Sequence, residues 1–128
     1  MDSLSNYNNV TEEIRSGLLR RTENAVKKGI LPDNIVWDPG LGFAKNTEQN
    51  LTLLREIEII CAEGFPVLVG PSRKRFIGSV LDQPNPESRV WGSAAIACRC
   101  LQAKVSMLRV HDVYPIQQTI RMAKTIFR

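Results

Sequence analysis

Three short apolar runs of this sequence each lead into side chains that can bind anions or heterocycles. Runs of this length that stop at Gly or Pro are typical of buried strands, and the polar residues that follow them face solvent or a ligand. An anionic substrate would bind beside the cations that follow the central run. The runs are residues 35–37 before Asp38, residues 67–69 before Ser72, Arg73 and Lys74, and residues 107–108 before Arg109 and His111.

The side chains at these three ends suit a planar heterocycle and a phosphate group. The carboxylate of Asp38 can accept two hydrogen bonds from an aminopyrimidinone edge, and Lys74 offers a point charge to a carbonyl or ring nitrogen. Arg109 and His111 are donors suited to phosphate oxygens, and backbone amides at the start of the following helix would add to them. The pattern therefore predicts transfer of a group activated by pyrophosphate.

Each of these signals also has an ordinary structural explanation. Asp38 before Pro-Gly is as typical of a turn former as of a ligand. The cations at residues 73–75, taken alone, favour a solvated surface. Trp37 and Phe43 are more often core side chains than ligand stackers, and His111 with the acid after it could be a surface pair. The functional interpretation rests on all three groups lying at successive strand ends.

The intervening sequence predicts alternating helices and strands. Such alternation implies right-handed crossovers and a parallel sheet, so the C-terminal ends of the strands lie at one edge. Asn9 is a candidate cap for the first helix, with Glu12 returning the bond. The predicted helices are residues 10–28, 47–61, 86–102 and 115–127, with a helical turn at 76–81, and the predicted neighbouring strands are residues 34–37, 66–69 and 106–110.

Length and composition bound the class of protein. The chain has 128 residues with 43% apolar content, which is enough for one core but not for two. Its net charge of +4 is typical of proteins that take phosphate-bearing ligands, and it lacks the long basic tract that favours nucleic acid. No apolar segment approaches the roughly 20 residues that span a bilayer. Neither nucleic acid nor a membrane is an expected partner. Residues 1–7 resemble no signal peptide, so a cytoplasmic location is expected, although an organellar signal could precede this sequence.

The three cysteines, Cys61, Cys98 and Cys100, lie inside apolar helical patterns. An odd number in this setting favours reduced, buried thiols over a disulfide framework. A metal pair at Cys98 and Cys100 is the alternative, but the single His of the chain leaves a closed zinc site short of ligands. No residue is therefore assigned to a metal.

Three longer motifs occur in order along the chain: Asp38-Pro39-Gly40-Leu41-Gly42-Phe43-Ala44-Lys45, Gly70-Pro71-Ser72-Arg73-Lys74 and Arg109-Val110-His111-Asp112-Val113. They closely resemble the signature segments of the dihydropteroate synthase family. The resemblance covers essentially the whole chain, including residues 1–7. Folate-dependent methyltransferases contain a related pterin-binding barrel, but the second and third motifs favour the synthase. Ala44 stands where the family often has Gly, a change expected to be harmless.

The resemblance implies an enzyme of folate biosynthesis on a TIM-type barrel. Such an enzyme joins p-aminobenzoate to 7,8-dihydropterin-6-ylmethyl diphosphate, releases pyrophosphate and uses Mg²⁺. By the same resemblance, Asp38 and Lys74 bind the pterin, Phe43, Ser72 and Arg73 the p-aminobenzoate, and Arg109 and His111 the diphosphate. The substrate-binding set is then Asp38, Gly42, Phe43, Ser72, Arg73, Lys74, Arg109 and His111, and the catalytic group is Lys74, Arg109 and His111.

Length sets this chain apart from a complete barrel, which takes about 250 residues and eight strands. Residues 1–128 resemble a single pterin-binding domain in its C-terminal portion only, an α/β unit with three parallel strands and two open sheet edges. The Mg²⁺ ligands would then lie elsewhere. We expect the isolated chain to be inactive or weakly active. The alternatives are a non-catalytic pterin-binding module, or a fragment that forms a homodimer through its C-terminal helices, where the family dimerises.

Overall fold

The computed structural model describes residues 8–127, and the resemblance of residues 1–7 to a family segment lies outside the described residues. Helices and extended segments alternate along the chain, as the sequence predicts. In chain order the elements are α1 (Val10–Lys27), a 3-10 turn (Pro32–Asn34), α2 (Thr47–Arg55), α3 (Ile57–Cys61), β1 (Leu68–Val69), α4 (Arg75–Leu81), a 3-10 turn (Pro86–Arg89), α5 (Val90–Gln102), β2 (Met107–Leu108) and α6 (Val113–Ile126).

The sheet of the described residues has two strands, so the predicted three-strand sheet is not confirmed. β1 and β2 pair in parallel, with Leu68 opposite Met107. The segment at residues 34–37 contributes a single parallel bridge, from Trp37 to Val67. The 3-10 turn Pro32–Asn34 occupies the start of that segment, and the chain joins the sheet only near Trp37. The three segments are nevertheless neighbours, as predicted.

The predicted helix at residues 47–61 is divided at Glu56 into α2 and α3. Glu56 has a φ of −112° and a ψ of 15°, outside the helical range, and its N–H still bonds to the carbonyl of Thr52. Arg99 of α5 donates to the carbonyls of Leu54 and Arg55, at 3.0 and 2.8 Å. A guanidinium from another helix thus satisfies carbonyls that a continuous helix would have bonded internally.

The other helix ends lie within a few residues of the predicted ones. The Asn9 side chain accepts the N–H of Glu12 at 3.2 Å, but the return bond comes from Glu13 rather than Glu12. The helix predicted from residue 86 begins as a 3-10 turn, and α6 begins at Val113, so that Pro115 lies in its first turn. Proline is tolerated there because the first N–H groups of a helix have no internal acceptor.

The core lies between β1 and the helices that flank it. Trp37 is buried, stacks on Phe65 with ring centroids 4.9 Å apart, and donates its indole N–H to Thr22. Its ordinary interpretation as a core residue is therefore confirmed. Cys100 is buried and Cys61 is partly buried, and burial raises the pKa of the Cys100 thiol to about 12. Within residues 8–127, no helix combines the length and the apolar character needed to cross a membrane.

Gly92 marks the closest approach of α5 to α4. A Cβ at this position would lie 2.2 Å from Ile77 Cγ2 and 3.1 Å from Leu81 Cδ1. We expect Gly92→Ala to lower the free energy of unfolding, measured in urea, by about 1–3 kcal/mol, because overpacking outweighs the better helix propensity of Ala.

The matched control is Gly17→Ala in α1, where the nearest atom to the new Cβ is 3.9 Å away. This change should raise the free energy of unfolding by up to about 1 kcal/mol through helix propensity alone. The same change in stability at both positions would contradict the packing argument.

Candidate functional site

The strand ends meet where β1 and β2 leave the sheet. The N–H of Arg109 donates to the carbonyl of Val69 at 3.0 Å, so the backbone pairing continues one residue beyond β2. Gly70 follows β1, and a Cβ there would lie 3.9 Å from the Cβ of Arg109. The second and third motifs are therefore side by side at the C-terminal edge, as the parallel arrangement predicts.

Ser72 and His111 join the second motif to the third. The buried hydroxyl of Ser72 accepts the backbone N–H of His111 at 3.0 Å and lies 2.8 Å from His111 Nδ1. Because this hydroxyl can donate its hydrogen to Nδ1, the contact favours the tautomer with its proton on Nε2. His111 is exposed, so Nε2 is available as a donor to an anion.

Lys74 and Phe43 join the first motif to the second. The Nζ of Lys74 lies 4.1 Å from the centroid of the Phe43 ring, a cation–π contact worth about 0.5–1 kcal/mol at an exposed site. Phe43 is 60% exposed, so its interpretation as a core residue is wrong. Gly42 leaves space for the Lys74 side chain, since a Cβ at Gly42 would lie 2.8 Å from Lys74 Cδ.

The loop that carries Phe43 is folded around the buried ammonium group of Lys45, a residue of the first motif for which the sequence predicts no role. Lys45 is 8% exposed and donates to the carbonyls of Gly40 and Phe43, at 2.7 and 3.0 Å. Burial lowers the pKa of Lys45 to about 8, and the nearby charge of Asp38 opposes that shift. The position of Lys45 in the sequence does not indicate that it bonds these carbonyls, because only the folded loop brings them close to it.

Backbone strain accompanies this loop. Ala44 has a φ of 53°, in the left-handed region. A residue with a Cβ loses roughly 1–2 kcal/mol in that conformation, whereas Gly does not. The alanine at this position is therefore not neutral for stability. Asn50 of α2 supports the loop by accepting the N–H of Gly42 at 2.7 Å.

Arg73 is paired within the chain. One of its terminal nitrogens lies 3.1 Å from Asp112 Oδ1, and both side chains are partly buried. Arg73 Nε and Asp112 Oδ2 are buried and have no hydrogen-bond partner within residues 8–127. Asp112 is therefore more than a surface acid, which its position after His111 did not reveal. The expected role of Arg73 near a carboxylate ligand stays a prediction.

Asp38 and Arg109 flank this chain of contacts. Asp38 accepts the N–H of Gly40 at 2.9 Å, so it acts as a turn former while its side chain remains exposed. Arg109 is exposed, and its guanidinium has no hydrogen-bond partner in the part of the chain that the structure describes. The predicted site residues that are in mutual contact are Phe43 and Lys74, Gly42 and Lys74, and Ser72 and His111.

Parallel segments with cationic and aromatic side chains at their C-terminal ends are the arrangement of α/β barrel enzymes. The chain belongs to the family of pterin binding enzymes, whose model matches residues 1–111. Over 128 residues it is 44% identical to the dihydropteroate synthase of Synechocystis sp., covering 100% of this chain and 44% of that protein.

Solved structures of dihydropteroate synthases have the same fold. The enzyme of Xanthomonas albilineans in complex with 7,8-dihydropteroate matches with a TM-score of 0.94 and 35% identity, covering 97% of this chain and 47% of that one. The enzyme of Thermus thermophilus in complex with 4-aminobenzoate matches with a TM-score of 0.91 and 37% identity, covering 97% of this chain and 50% of that one. The α/β unit thus resembles part of the dihydropteroate synthase barrel, and the chain spans less than half the length of the Synechocystis relative.

Lys45 makes the stability of the fold depend on pH. Its native pKa of about 8 is below the ordinary 10.5, so between these values the unfolded chain binds more protons than the native chain. The free energy of unfolding should therefore rise with pH across this window. We expect Lys45→Met to remove that rise, as measured by urea unfolding between about pH 7.5 and about pH 9.5.

The exposed Lys28→Met is the matched control and should keep the rise. The raised pKa of Cys100 acts in the opposite direction above its ordinary value of 9.0, so the informative quantity is the difference between each variant and the parent chain. An identical pH dependence in the Lys45→Met and Lys28→Met chains would show that Lys45 is not desolvated.

Proposed function

We propose that this chain supplies the pterin- and diphosphate-binding edge of a dihydropteroate synthase. The reaction joins p-aminobenzoate to 7,8-dihydropterin-6-ylmethyl diphosphate and releases pyrophosphate. One observation carries the proposal: the contacts from Phe43 to Lys74 and from Ser72 to His111 connect three successive segments at one edge. The complexes of the Xanthomonas enzyme with 7,8-dihydropteroate and of the Thermus enzyme with 4-aminobenzoate support the substrate classes.

The pterin would bind between Asp38 and Lys74. The hydrogen bond from the Gly40 N–H uses one acceptor position of Asp38 and orients the carboxylate. An ionised carboxylate has about four such positions. The remaining positions suit the paired N–H groups of an aminopyrimidinone. The ammonium of Lys74, placed over Phe43, is a donor for the pterin carbonyl and ring nitrogen.

The diphosphate would bind to Arg109 and His111. The exposed guanidinium of Arg109 presents a planar fork that matches two phosphate oxygens. The contact with Ser72 leaves the Nε2 hydrogen of His111 for a further oxygen. Both groups stabilise the negative charge that collects on the diphosphate as it departs, which is a principal source of catalysis in group transfer.

The reaction needs no protein nucleophile. The amine nitrogen of p-aminobenzoate attacks the pterin methylene carbon, a C–N bond forms, the C–O bond to the diphosphate breaks, and the amine loses a proton. The chain's part is to hold the pterin beside the amine and to stabilise the leaving group. Phe43 and Ser72 would line the space for the aromatic acid, and Gly42 leaves room for the Lys74 side chain beside the loop.

The residues of this edge do not fit Mg²⁺. The ion prefers several oxygen ligands in octahedral geometry. Residues 8–127 contain no group of three or more His, Cys, Asp or Glu side chains that could hold a metal. Of the two carboxylates nearby, Asp112 is paired with Arg73. We therefore propose that the ligands of Mg²⁺ lie outside residues 8–127, and no step of the reaction is assigned to the ion.

Catalysis by the proposed route requires further barrel segments. The sheet described here has two strands and one bridge, whereas a closed barrel has eight strands. The chain also covers only 44% of the Synechocystis enzyme. We propose that the isolated chain binds pterin weakly and turns over slowly or not at all. Pterin binding without pyrophosphate release is the alternative function.

A hybrid enzyme tests this proposal. The matching part of the Synechocystis enzyme is replaced by this chain, and pyrophosphate release is measured with the pterin diphosphate, p-aminobenzoate and Mg²⁺. We expect an active hybrid, and we expect Lys74→Ala to lower its kcat/KM by about 100-fold or more because a charge at the reacting centre is lost.

The matched control is Lys28→Ala in the same hybrid, because Lys28 is an exposed lysine of the same charge away from this edge. Its effect should stay within about twofold. A folded hybrid that binds no pterin and releases no pyrophosphate would refute the proposal. Substantial turnover by this chain alone would instead refute the need for further segments.

We also propose that the chain forms a homodimer through α5 and α6. Trp91 of α5 is 76% exposed and Met122 of α6 is 62% exposed, and large exposed apolar side chains on neighbouring helices favour association. Sedimentation equilibrium should show a concentration-dependent dimer that Met122→Glu shifts to monomer. Asn24→Glu on the exposed side of α1 is the control, and a monomer at all concentrations would contradict the proposal.

A further inference from the structure

Arg89 ends the 3-10 turn Pro86–Arg89 and is 8% exposed. Its guanidinium donates to three backbone carbonyls: Nε to Gln83 at 2.9 Å, one terminal nitrogen to Pro84 at 3.0 Å and the other to Arg73 at 3.0 Å. No carboxylate pairs with it within residues 8–127. A buried charge needs such a full set of acceptors, and the planar fork of Arg directs its N–H groups to three separate carbonyls.

Arg73, the most distant of these acceptors in sequence, lies at the centre of the site. It has a φ of 61°, in the left-handed region that a residue with a Cβ rarely adopts. Three interactions hold this conformation: the bond from Arg89 to its carbonyl, the ion pair with Asp112, and the bond from the N–H of Lys74 to the carbonyl of Pro71.

The left-handed residue determines where its two neighbours point. Ser72, on one side of Arg73, contacts His111, whereas Lys74, on the other side, lies over Phe43. A return of this residue to an ordinary negative φ would rotate the two neighbours relative to each other. The contacts that connect the three motifs therefore depend on the conformation of Arg73.

The approach of Arg89 is built into the sequence of α4. A Cβ at Gly78 would lie 2.5 Å from Arg89 Nε and 2.7 Å from its Cζ. Gly78 also accepts the N–H of Gln83, whose own carbonyl bonds to Arg89. Gly78 therefore leaves the space in which the guanidinium reaches from one end of the loop to the site.

From this geometry we propose that Arg89 is a positioning residue, which holds the turn from Ser72 to Lys74 in its left-handed form through the carbonyl of Arg73. It touches no substrate. Its consequence for catalysis rests on the proposed function, whereas the positioning itself is measurable without any ligand.

Amide hydrogen exchange, followed by NMR on the purified chain, tests the proposal. The reporters are the N–H of Lys74, bonded to Pro71, and the N–H of His111, bonded to the Ser72 hydroxyl. We expect Arg89→Met to increase the exchange rate at both reporters by at least about tenfold more than at the sheet amides of Trp37 and Leu68. The reason is that loss of the Arg89 bonds lets the turn open locally without global unfolding.

Two further variants at this contact separate positioning from general stability. Arg89→Lys keeps the charge but cannot reach three carbonyls, so it should show the same local pattern in a better folded chain. Gly78→Ala displaces the guanidinium without changing Arg89, and it should reproduce that pattern.

Arg99→Met is the matched control, because Arg99 also donates to two backbone carbonyls, those of Leu54 and Arg55, away from the turn. Arg99→Met should change amide exchange rates without a selective increase at the Lys74 and His111 amides. A uniform change across the sheet and the turn in the Arg89 variants would overturn the proposal, as would an unchanged rate at both reporters.

The same variants in the hybrid enzyme connect the turn to activity. Arg89→Lys should lower kcat/KM by about tenfold, whereas Arg99→Lys should change it no more than about twofold. Selective exchange at the turn, together with a folded hybrid that neither binds pterin nor releases pyrophosphate, would refute the proposed function and leave the positioning role intact. An active hybrid, together with Arg89 variants that change exchange uniformly across the chain, would refute the positioning role and leave the proposed function intact.

Discussion

The site depends on one constraint, the parallel backbone pairing on both sides of residues 67–69. Trp37 bonds to Pro66 on one side, and Arg109 bonds to Val69 on the other. Three segments that are far apart in sequence therefore end at one edge, although each contributes very little regular strand. Helices on the outside bury the apolar side chains and maintain that pairing, which leaves the residues beyond it free for binding.

Backbone carbonyls and an aromatic ring, which carry no net charge, contact three of the cations at this edge. The ammonium of Lys45 and the guanidinium of Arg89 bond to backbone carbonyls, and Lys74 lies over an aromatic ring. Because carbonyls and rings do not neutralise a cation, these groups keep the electrostatic potential of the edge positive. The paired acid is Asp112, bound to Arg73. The edge therefore favours an anion electrostatically.

The small sheet also explains why residues 8–127 form one edge of a barrel but no closed barrel. β2 pairs with β1 on one side only within the described residues. Apolar residues of β2, of α6 and of the segment between them, including Val110, Ile116 and Ile120, line a groove of about 480 Å³. In a closed barrel the corresponding side of each strand is covered by the next strand-helix unit. The exposed apolar surface at Met107 is consistent with an interior that further segments would fill.

The sequence by itself determined the alternation of elements, the three neighbouring segments and the residues at their ends, because these features follow from short-range patterns of apolar residues, Gly and Pro. Such patterns missed the break at Glu56, where Arg99 from another helix bonds the carbonyls before it. Only the tertiary structure decided which groups each cation contacts. Lys45 closes a loop, Lys74 lies over an aromatic ring, and Arg89 is buried against backbone carbonyls. The physical reason is that a cation's role is set by the acceptors within about 3 Å of it, and folding brings those acceptors from distant parts of the chain.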